Sequence, residues 1–199
     1  MGDNACRIHD ANKIKDFSLL CRWDFKEFEA EWKCSLDLSD EEKLNIFRLH
    51  ENNMIEMYMK SQWGWDEVRI RRQMFAVKAR FILIYMKSNK ERLAGFVHFR
   101  FTRDYGRNVI YLYEIQIKQE FRKHGIGTSI LKSIIDLAYT FRIYHIICTV
   151  FKFNSIALKF FRKNFFEIDP SYTSLSPKQQ ADVDYFILSY NMWKDFYDI

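Results

Sequence analysis

Two of the six glycines in this 199-residue chain, Gly125 and Gly127, stand one residue apart in the stretch "FRKHGIG". The stretch lies between a predicted strand and a predicted helix, and the N-terminus of a helix carries unpaired N–H groups and the positive end of the helix dipole. Glycine would let those N–H groups close around an anion and would permit positive φ, while Arg122, Lys123 and His124 would add donors. The pattern favours a phosphate-binding turn, although an ordinary strand–helix turn has the same composition.

Glu114 is the second residue that could do chemistry, because it is a charged side chain inside the apolar run "YLYEIQI". A carboxylate held there could act as a general base, either directly or through a water molecule. Strict alternation along a strand would turn Tyr111 and Tyr113 to the face opposite Glu114. These two tyrosines are candidates for lining a catalytic slot, and the alternative is that they pack as core aromatics.

Several other chemistries lack their motifs. The chain contains no G-x-x-x-x-G-K-[ST] sequence, and the glycine pair lacks the third glycine and the parallel setting of a dinucleotide-binding turn. The four cysteines are widely spaced, with no C-x-x-C pair and no nearby histidine cluster, so we expect no metal site and reduced thiols. Cys148 falls in a predicted buried strand without an activating base, which argues against a covalent acyl-enzyme.

The segment before residue 77 is predicted to be helical. "LLCRWDFKEFEAEW" (19–32) is compatible with a helix, and "SDEE" (39–42) matches a capping box with Ser39 as the N-cap. Apolar residues at helical spacing follow this box, which predicts a helix of about five turns. "QWGW" (62–65) interrupts the pattern, and Asp66 is predicted to begin a short helix over 66–74.

Beyond residue 77 the chain changes to runs of β-branched and aromatic residues separated by polar turns. The helix that follows the glycine pair has an apolar stripe at helical spacing. The predicted elements are strands over 80–86, 94–101, 108–118, 143–151 and 183–192, and helices from 126 and over 154–163. Their order predicts an α/β (α+β) fold with one mixed sheet and helices packed against it.

Composition favours one compact intracellular domain. Hydrophobic residues make up 48% of the chain, which is enough for a sizeable core. The longest apolar run, "FILIYM", is far shorter than a membrane span, and no export signal opens the chain. Residues 24–59 carry a net charge of −6 and residues 60–107 a net charge of +8. The basic stretch could contact nucleic acid, attract an anionic cofactor or simply be solvated.

The motif Arg122-x-x-Gly125-x-Gly127 resembles the acetyl-coenzyme A pyrophosphate loop of the GCN5-related N-acetyltransferase (GNAT) superfamily. "TVFKFNSIALKFFRKNFFEID" resembles the next block of that superfamily, and the resemblance covers roughly residues 77–192. It implies a mixed, mostly antiparallel sheet flanked by helices, and acetyl-CoA as the acetyl donor. It also implies a β-bulge in the strand that carries Glu114, and an oxyanion held by a backbone N–H near residue 115.

The same resemblance implies a set of cofactor contacts. The backbone of the strand would bind the pantetheine arm, residues 123–128 would hold the pyrophosphate, and Asn154 would contact the cofactor or cap a helix. The implied cofactor-binding residues are Ile115, Gln116, Ile117, Arg122, Lys123, His124, Gly125, Ile126, Gly127, Thr128 and Asn154.

Within the superfamily, "QWGWD", "HFRF", "YLYEIQI", "RKHGIG", "TVFKFN", "FFEID" and "DYFILS" resemble the histone-specific N-alpha-acetyltransferases of the NatD type. These enzymes acetylate the N-terminal serine of core histones of types four and two-A, whose tails begin Ser-Gly-Arg-Gly. The resemblance implies that residues 1–76 form a helical segment wrapping an acetyltransferase core of residues 77–199. We expect a monomer without an auxiliary subunit, in the nucleus and cytoplasm, with no membrane association and no requirement for nucleic acid.

The resemblance also implies a groove for the histone tail. Its residues in this chain would be Tyr58, Trp63, Tyr113, Thr149, Ser171 and Tyr185, each of which could instead be a packing residue. One position departs from the family, because Thr102 stands where an acidic residue meets the substrate arginine. Arg103 and Asp104 follow, and Asp104 is the candidate substitute for that acidic residue.

Two other functions remain open from the sequence. The chain could acetylate lysine side chains, polyamines or other protein N-termini with the same cofactor. It could also be a binding module without turnover that contacts nucleic acid through residues 60–107, although the intact glycine loop and Glu114 argue against this.

Overall fold

The computed structural model describes residues 3–17 and 27–192 of the chain. Within these ranges, the chain forms seven α-helices and seven strands. The helices are α1 (Asp3–Lys13), α2 (Asp40–Lys60), α3 (Glu67–Met74), α4 (Ile126–Thr140), α5 (Ser155–Lys163), α6 (Pro170–Thr173) and α7 (Pro177–Asp182). The strands are β1 (Phe28–Cys34), β2 (Arg80–Met86), β3 (Asn89–Asp104), β4 (Arg107–Ile117), β5 (His145–Phe151), β6 (Glu167–Ile168) and β7 (Tyr185–Asn191).

The described strands form a single sheet in the order β1-β2-β3-β4-β5-β7-β6. Neighbouring strands are antiparallel except β4 and β5, which are parallel and are joined by the crossover helix α4. The predicted fold class, a mixed and mostly antiparallel sheet flanked by helices, is confirmed.

The starts of α2 and α3 follow local sequence chemistry. The Ser39 hydroxyl accepts a hydrogen bond from the Glu42 backbone N–H at 3.1 Å, and the Glu42 carboxylate accepts one from the Ser39 N–H at 2.8 Å. This reciprocal capping box satisfies two N–H groups at the start of α2, as predicted. The Asp66 carboxylate caps α3 in a similar way, through the N–H of Arg69 at 2.9 Å.

The predicted helix over 19–32 is wrong where the structure describes it, because residues 28–34 form strand β1. Phe28 and Trp32 are buried on one face of β1, and every residue from 28 to 34 pairs with β2 in antiparallel register. The free edge of β2 supplies backbone partners that the local pattern does not report. The part of the prediction over 19–26 lies outside the described residues. The segment before residue 77 therefore contributes a strand to the sheet as well as helices.

The sheet separates two apolar layers. The larger layer packs α4 and α5 against one face, and it includes Phe99, Leu112 and Ile134. The smaller layer packs α2 and α3 against the other face, and it includes Phe47 and Phe81. None of the helices in the described ranges is long and apolar enough to cross a membrane.

Candidate active site

The two parallel strands at the centre of the sheet diverge. Pairing between β4 and β5 runs only from Val109 to Leu112 on β4, opposite 145–148 on β5. Beyond Leu112, β4 stays paired with β3 and β5 stays paired with β7. A wedge therefore opens between 113–117 and 149–151, and it leaves one backbone edge of β4 without a neighbouring strand. A cavity of about 1060 Å³ occupies the wedge and extends onto the face covered by α2 and α3.

A bulge in β4 decides which side chains face this cavity. His98 of β3 pairs with Glu114, but the next residue, Phe99, pairs with Leu112, so Tyr113 is the extra residue. The extra residue breaks the alternation, and Tyr111, Tyr113 and Glu114 all line the cavity. Strict alternation would have separated the tyrosines from Glu114, whereas the bulge expected from the resemblance brings them together.

Glu114 lies at the floor of the cavity with 13% of its side chain exposed. One carboxylate oxygen accepts a hydrogen bond of 2.7 Å from the Gln116 side-chain amide. The other oxygen lies 3.3 Å from His50 Nδ1, although the contact is not aligned as a hydrogen bond and both ring nitrogens of His50 lack a partner. The carboxylate is thus hydrogen-bonded from β4 and lies against α2, while part of it remains open to the cavity.

The two tyrosines beside Glu114 are held in different ways. The Tyr111 hydroxyl lies 2.6 Å from the Thr149 hydroxyl, and burial raises the pKa of Tyr111 to about 12. The Tyr113 ring stacks on His98 with 4.8 Å between centroids, and the Arg100 guanidinium lies 4.5 Å from the Tyr113 ring centre. Burial, together with the charge of Arg100, lowers the pKa of His98 well below its usual value. Tyr111 and His98 are therefore both uncharged near neutral pH.

Aromatic rings surround the mouth of the cavity on the α2 side. Tyr58 packs edge-on to Phe151 at 5.5 Å, and Trp63 contacts Phe151 at 5.1 Å and Tyr185 at 5.4 Å. Arg69 donates a hydrogen bond of 2.8 Å to the Trp63 carbonyl, which fixes the turn between α2 and α3. Burial, followed by the nearby charge of Glu114, raises the pKa of Tyr58, so its hydroxyl stays neutral.

The glycine turn lies at the other end of the cavity and begins α4. Gly125 is the N-cap with a φ of +80°, a value that glycine adopts without strain, and the helix start has no side-chain cap. The first N–H groups of α4, on Ile126, Gly127 and Thr128, therefore have no acceptor within the helix. Lys123 also has positive φ, at +67°. The turn has the form of an anion site, as the sequence predicts.

The sequence model of the acetyltransferase (GNAT) family matches residues 22–165 of this chain, which is well over half of its length. This chain belongs to the GNAT acetyltransferase family. As a member of the family, it uses acetyl-CoA as its acetyl donor.

Solved structures share the fold at low sequence identity. Naa50 of Arabidopsis thaliana, in complex with the bisubstrate analogue CoA-Ac-MVNAL, is 17% identical with a TM-score of 0.53, and the match covers 81% of this chain and 98% of that one. NAA60 of Arabidopsis thaliana, in complex with a bisubstrate analogue, is 11% identical with a TM-score of 0.58, over 82% and 98% of the two chains. The Thermoplasma acidophilum paia N-acetyltransferase, in complex with coenzyme A, is 16% identical with a TM-score of 0.51, over 82% and 99%.

The residues of this GNAT acetyltransferase fit acetyl-CoA at two places, which one cavity connects. The unpaired edge of β4 could take a strand-like pantetheine arm, the first turn of α4 offers free N–H groups, and the cavity joins the two. The predicted cofactor residues that line this cavity are Ile115, Gln116, Ile117, Arg122, Lys123, Gly125, Ile126, Gly127, Thr128 and Asn154. His124 is exposed and does not line it; its Nδ1 lies 3.0 Å from the Arg122 carbonyl oxygen. The contacts of each residue with the cofactor stay predictions.

Asn154 caps α5 in the structure. Its side-chain oxygen accepts a hydrogen bond of 3.1 Å from the Ala157 N–H. Asn154 also lines the cavity, so the capping role and the predicted cofactor contact are compatible.

Gly127 is required for a reason that the sequence pattern does not show. Its backbone is helical, and a Cβ there would lie 2.9 Å from Cε2 of Phe160 on α5. Glycine at 127 therefore allows α4 and α5 to pack closely under the loop, whereas Gly125 supplies the positive φ. Only the second of these roles follows from the turn pattern.

We expect Gly127→Ala to lower the free energy of unfolding by about 1–3 kcal/mol, because the Phe160 ring must move. The shifted start of α4 should also raise the KM for acetyl-CoA. Denaturant unfolding and steady-state kinetics measure the two effects, and Phe160→Leu added to Gly127→Ala should restore part of the stability. A double variant less stable than either single one would show that the contact is not the cause.

Five of the predicted groove residues, Thr102, Arg103, Asp104, Ser171 and Tyr185, do not line the cavity. Thr102 and Arg103 lie near the tip of the β3–β4 hairpin, and the Asp104 carboxylate there accepts a hydrogen bond of 3.3 Å from Arg107. Ser171 lies in α6, where its N–H donates to Asp169 at 2.8 Å. Tyr58, Trp63, Tyr113 and Thr149 line the cavity, and Tyr185 packs against Trp63.

Several polar residues of the site were missed from the sequence. His50 and Asn53 contact the Glu114 region from the middle of α2, and Arg69 and Gln73 line the cavity from α3. His50 and Asn53 are three residues apart on the face of α2 that also carries Phe47, which packs in the core. Polar residues at core-facing positions of a helix were the signal that could have found them.

Proposed function

We propose that this GNAT acetyltransferase transfers the acetyl group of acetyl-CoA to the free α-amine of a protein N-terminus. We further propose that its substrates are histone tails beginning Ser-Gly-Arg-Gly, those of core histones of types four and two-A. The observation that carries the proposal is the position of Glu114. Its carboxylate lies at the floor of a cavity with an aromatic mouth at one end and the glycine turn at the other.

The chemistry of this site suits an α-amine. An N-terminal α-amine has a pKa of about 8, so a mild base suffices to free its lone pair. Glu114 would accept the proton, directly or through a water molecule, and Tyr111 and Tyr113 would line the path of the amine. Acetyl-CoA would supply the thioester carbonyl that the amine attacks; as the new C–N bond forms, the C–S bond breaks and CoA leaves as its thiol, with the proton that the amine gives up. A backbone N–H near residue 115, on the open edge of β4, would stabilise the negative charge on that carbonyl oxygen.

The rings around the mouth support a peptide as the acceptor. Tyr58, Trp63 and Tyr185 present flat apolar surfaces with polar tips, a combination that is frequent where proteins bind peptides. The segments that resemble the NatD type include "QWGWD" and "YLYEIQI", which supply Trp63 and Glu114. Naa50 and NAA60, which share the fold, were solved with bisubstrate analogues.

The position that would bind the substrate arginine departs from the pattern of the NatD type. Thr102 is uncharged, and Asp104 already accepts a hydrogen bond from Arg107, which also binds the buried Asp169. We therefore propose that this enzyme depends less on the arginine at the third substrate position than the family pattern implies.

Acetyl transfer to a Ser-Gly-Arg-Gly-Lys peptide, with a free or a chemically blocked N-terminus, tests the acceptor. We expect acetylation of the free peptide alone, with the acetyl group on the serine α-amine by mass spectrometry. Acetylation of both peptides would identify lysine as the acceptor. Acetylation of neither, with acetyl-CoA still bound, would reject the proposed substrate. A matched peptide with alanine at the third position reports how much the arginine contributes.

We propose in addition that the enzyme acts as a monomer in the nucleus and cytoplasm, where histones are synthesised and assembled. Sedimentation and imaging of the tagged protein test these two points.

A further inference from the structure

A chain of hydrogen bonds joins Glu114 to the glycine turn through α2. The Gln116 amide donates to the Glu114 carboxylate at 2.7 Å, and the Asn53 amide donates to Gln116 Oε1 at 2.9 Å. Asn53 also donates to the Ile117 carbonyl at 3.3 Å, and its Oδ1 accepts from the Arg122 guanidinium at 2.8 Å. Asn53 is thus the only residue of α2 that these bonds place between the base and the turn.

The charged groups at the two ends of this series of hydrogen bonds, Arg122 and Glu114, determine which atom donates in every bond. A guanidinium can only donate, so Asn53 must present its oxygen to Arg122 and its NH₂ group to Ile117 and Gln116. Gln116 then presents its oxygen to Asn53 and its NH₂ group to Glu114, which accepts as a carboxylate. The amide dipoles are therefore aligned between a positive and a negative charge, an arrangement in which successive hydrogen bonds strengthen one another.

The position of Asn53 in the sequence is costly without such a role. It lies in the middle of the 21-residue helix α2, where asparagine is a poor helix former because its side chain competes for backbone hydrogen bonds. In this structure its amide instead makes three contacts outside the helix, to β4 and to the glycine turn. Its neighbour Asn52 is exposed, which makes Asn52 a matched control.

We propose that Asn53 is a positioning residue for acetyl transfer. By holding Gln116 in one orientation, it aims the Gln116 amide at Glu114 and keeps the carboxylate directed into the cavity. Through Arg122 it ties that orientation to the turn that holds the cofactor. This inference rests on the proposed role of Glu114 as the base.

Two substitutions at Asn53 separate positioning from packing. Asn53→Ala removes all three contacts. Asn53→Asp keeps the shape and the acceptor for Arg122, but it places an oxygen against Gln116 Oε1 and the Ile117 carbonyl. Gln116 must then turn its NH₂ group away from Glu114. We expect both variants to lower kcat by about tenfold, part of what a misplaced general base costs, with the KM for the peptide changed less than about threefold. Asn52→Asp, which adds the same charge one residue away, should leave kcat within about twofold of the wild type.

Wild-type kcat in Asn53→Asp with a reduced kcat in Asn53→Ala would overturn the proposal, since Asn53 would then only tether Arg122. An equal loss of kcat in Asn52→Asp would overturn it too, because the loss would then come from the added negative charge on α2. Gln116→Ala provides a second test if Asn53→Ala is unstable. Adding Asn53→Asp to Gln116→Ala should lower kcat no further, and additive losses would contradict action through Gln116.

An NMR measurement that needs no peptide substrate separates this proposal from the proposed function. The side-chain amide resonance of Gln116 in ¹⁵N-labelled protein should shift in Asn53→Asp and not in Asn52→Asp. If the wild type does not acetylate the Ser-Gly-Arg-Gly-Lys peptide but the resonance shifts in Asn53→Asp, the proposed substrate is wrong and the positioning of Gln116 by Asn53 stands. If the resonance is unchanged in Asn53→Asp, the proposal that Asn53 orients Gln116 is rejected, whichever substrate the enzyme acetylates.

Discussion

Glu114→Gln is expected to lower kcat/KM for a peptide acceptor by about 10²- to 10⁴-fold, the usual contribution of a general base. The substitution retains the shape of the side chain and can retain a hydrogen bond to Gln116, but it removes the group that would take the proton from the amine. Because the predicted cofactor contacts lie on the backbone of β4 and in the glycine turn, acetyl-CoA should bind as before. Steady-state kinetics with the free Ser-Gly-Arg-Gly-Lys peptide, with calorimetry for acetyl-CoA, measures both quantities.

Glu67→Gln is the matched control, because Glu67 is a half-exposed carboxylate on α3 that pairs with Arg71 at 2.7 Å and does not line the cavity. Its rate should stay within about twofold of the wild type, as for a surface ion pair. A Glu114→Gln enzyme with nearly full activity would mean that solvent removes the proton. The proposed role of Glu114 would then be given up, while the fold and the cofactor would stand.

Asp169→Asn is expected to lower the free energy of unfolding by about 3 kcal/mol, the lower end of the cost of breaking a buried ion pair. Asp169 is fully buried at the start of α6, and it forms a bidentate pair with Arg107 at 3.0 and 3.1 Å. Asparagine would remove the bidentate counter-charge of Arg107, whose side chain is only 24% exposed, and would leave it only the single contact with Asp104 at 3.3 Å. Chemical denaturation near neutral pH measures the loss. Asp136→Asn, on the exposed face of α4, should change stability by less than about 0.5 kcal/mol.

The ion pair of Asp169 with Arg107 also predicts how the free energy of unfolding depends on pH. Burial opposes ionisation of Asp169, but hydrogen bonds from Arg107 and Ser171 outweigh burial and lower its pKa from 3.8 to about 2. Because the folded-state pKa is the lower one, the stabilisation is complete above about pH 4 and is lost as the pH falls toward 2. It amounts to about 2 kcal/mol. For Asp169→Asn, the free energy of unfolding should not show this loss between pH 4 and pH 2. The same pH dependence in the variant and the wild type would show that Asp169 is not its source.

Many of the helices, strands and turns that position the site could be predicted from local sequence. The capping box at Ser39 and the N-cap at Asp66 are short-range hydrogen-bonding patterns, and both helices begin where those patterns place them. The central strands and the glycine turn were predicted for the same reason, because alternation and positive φ are properties of a few consecutive residues. The strand predicted over 94–101 extends to Asn89–Asp104, since β2 and β4 supply partners along its whole length.

Other features depended on partners far away in the sequence. Residues 28–32 suited a helix by composition but became part of β1, because the edge of β2 offered backbone hydrogen bonds. His50 and Asn53 were read as part of an ordinary amphipathic helix, and only the packing of α2 over β4 brings them to Glu114 and Gln116. The ion pair of Arg107 with Asp169 joins residues 62 positions apart.

The sequence by itself determined the fold class, through the order of its predicted strands and helices, and the form of the glycine turn. It also predicted Glu114 as the base, because a charged residue stands alone in a short apolar run. Tertiary structure alone decided that Gly127 makes room for Phe160 and that Asn53 links Glu114 to the turn, and it placed the bulge at Tyr113. The physical reason is that strand register and helix packing are set by contacts between distant segments. A local pattern determines what a residue can do, and those distant contacts determine which neighbours it meets.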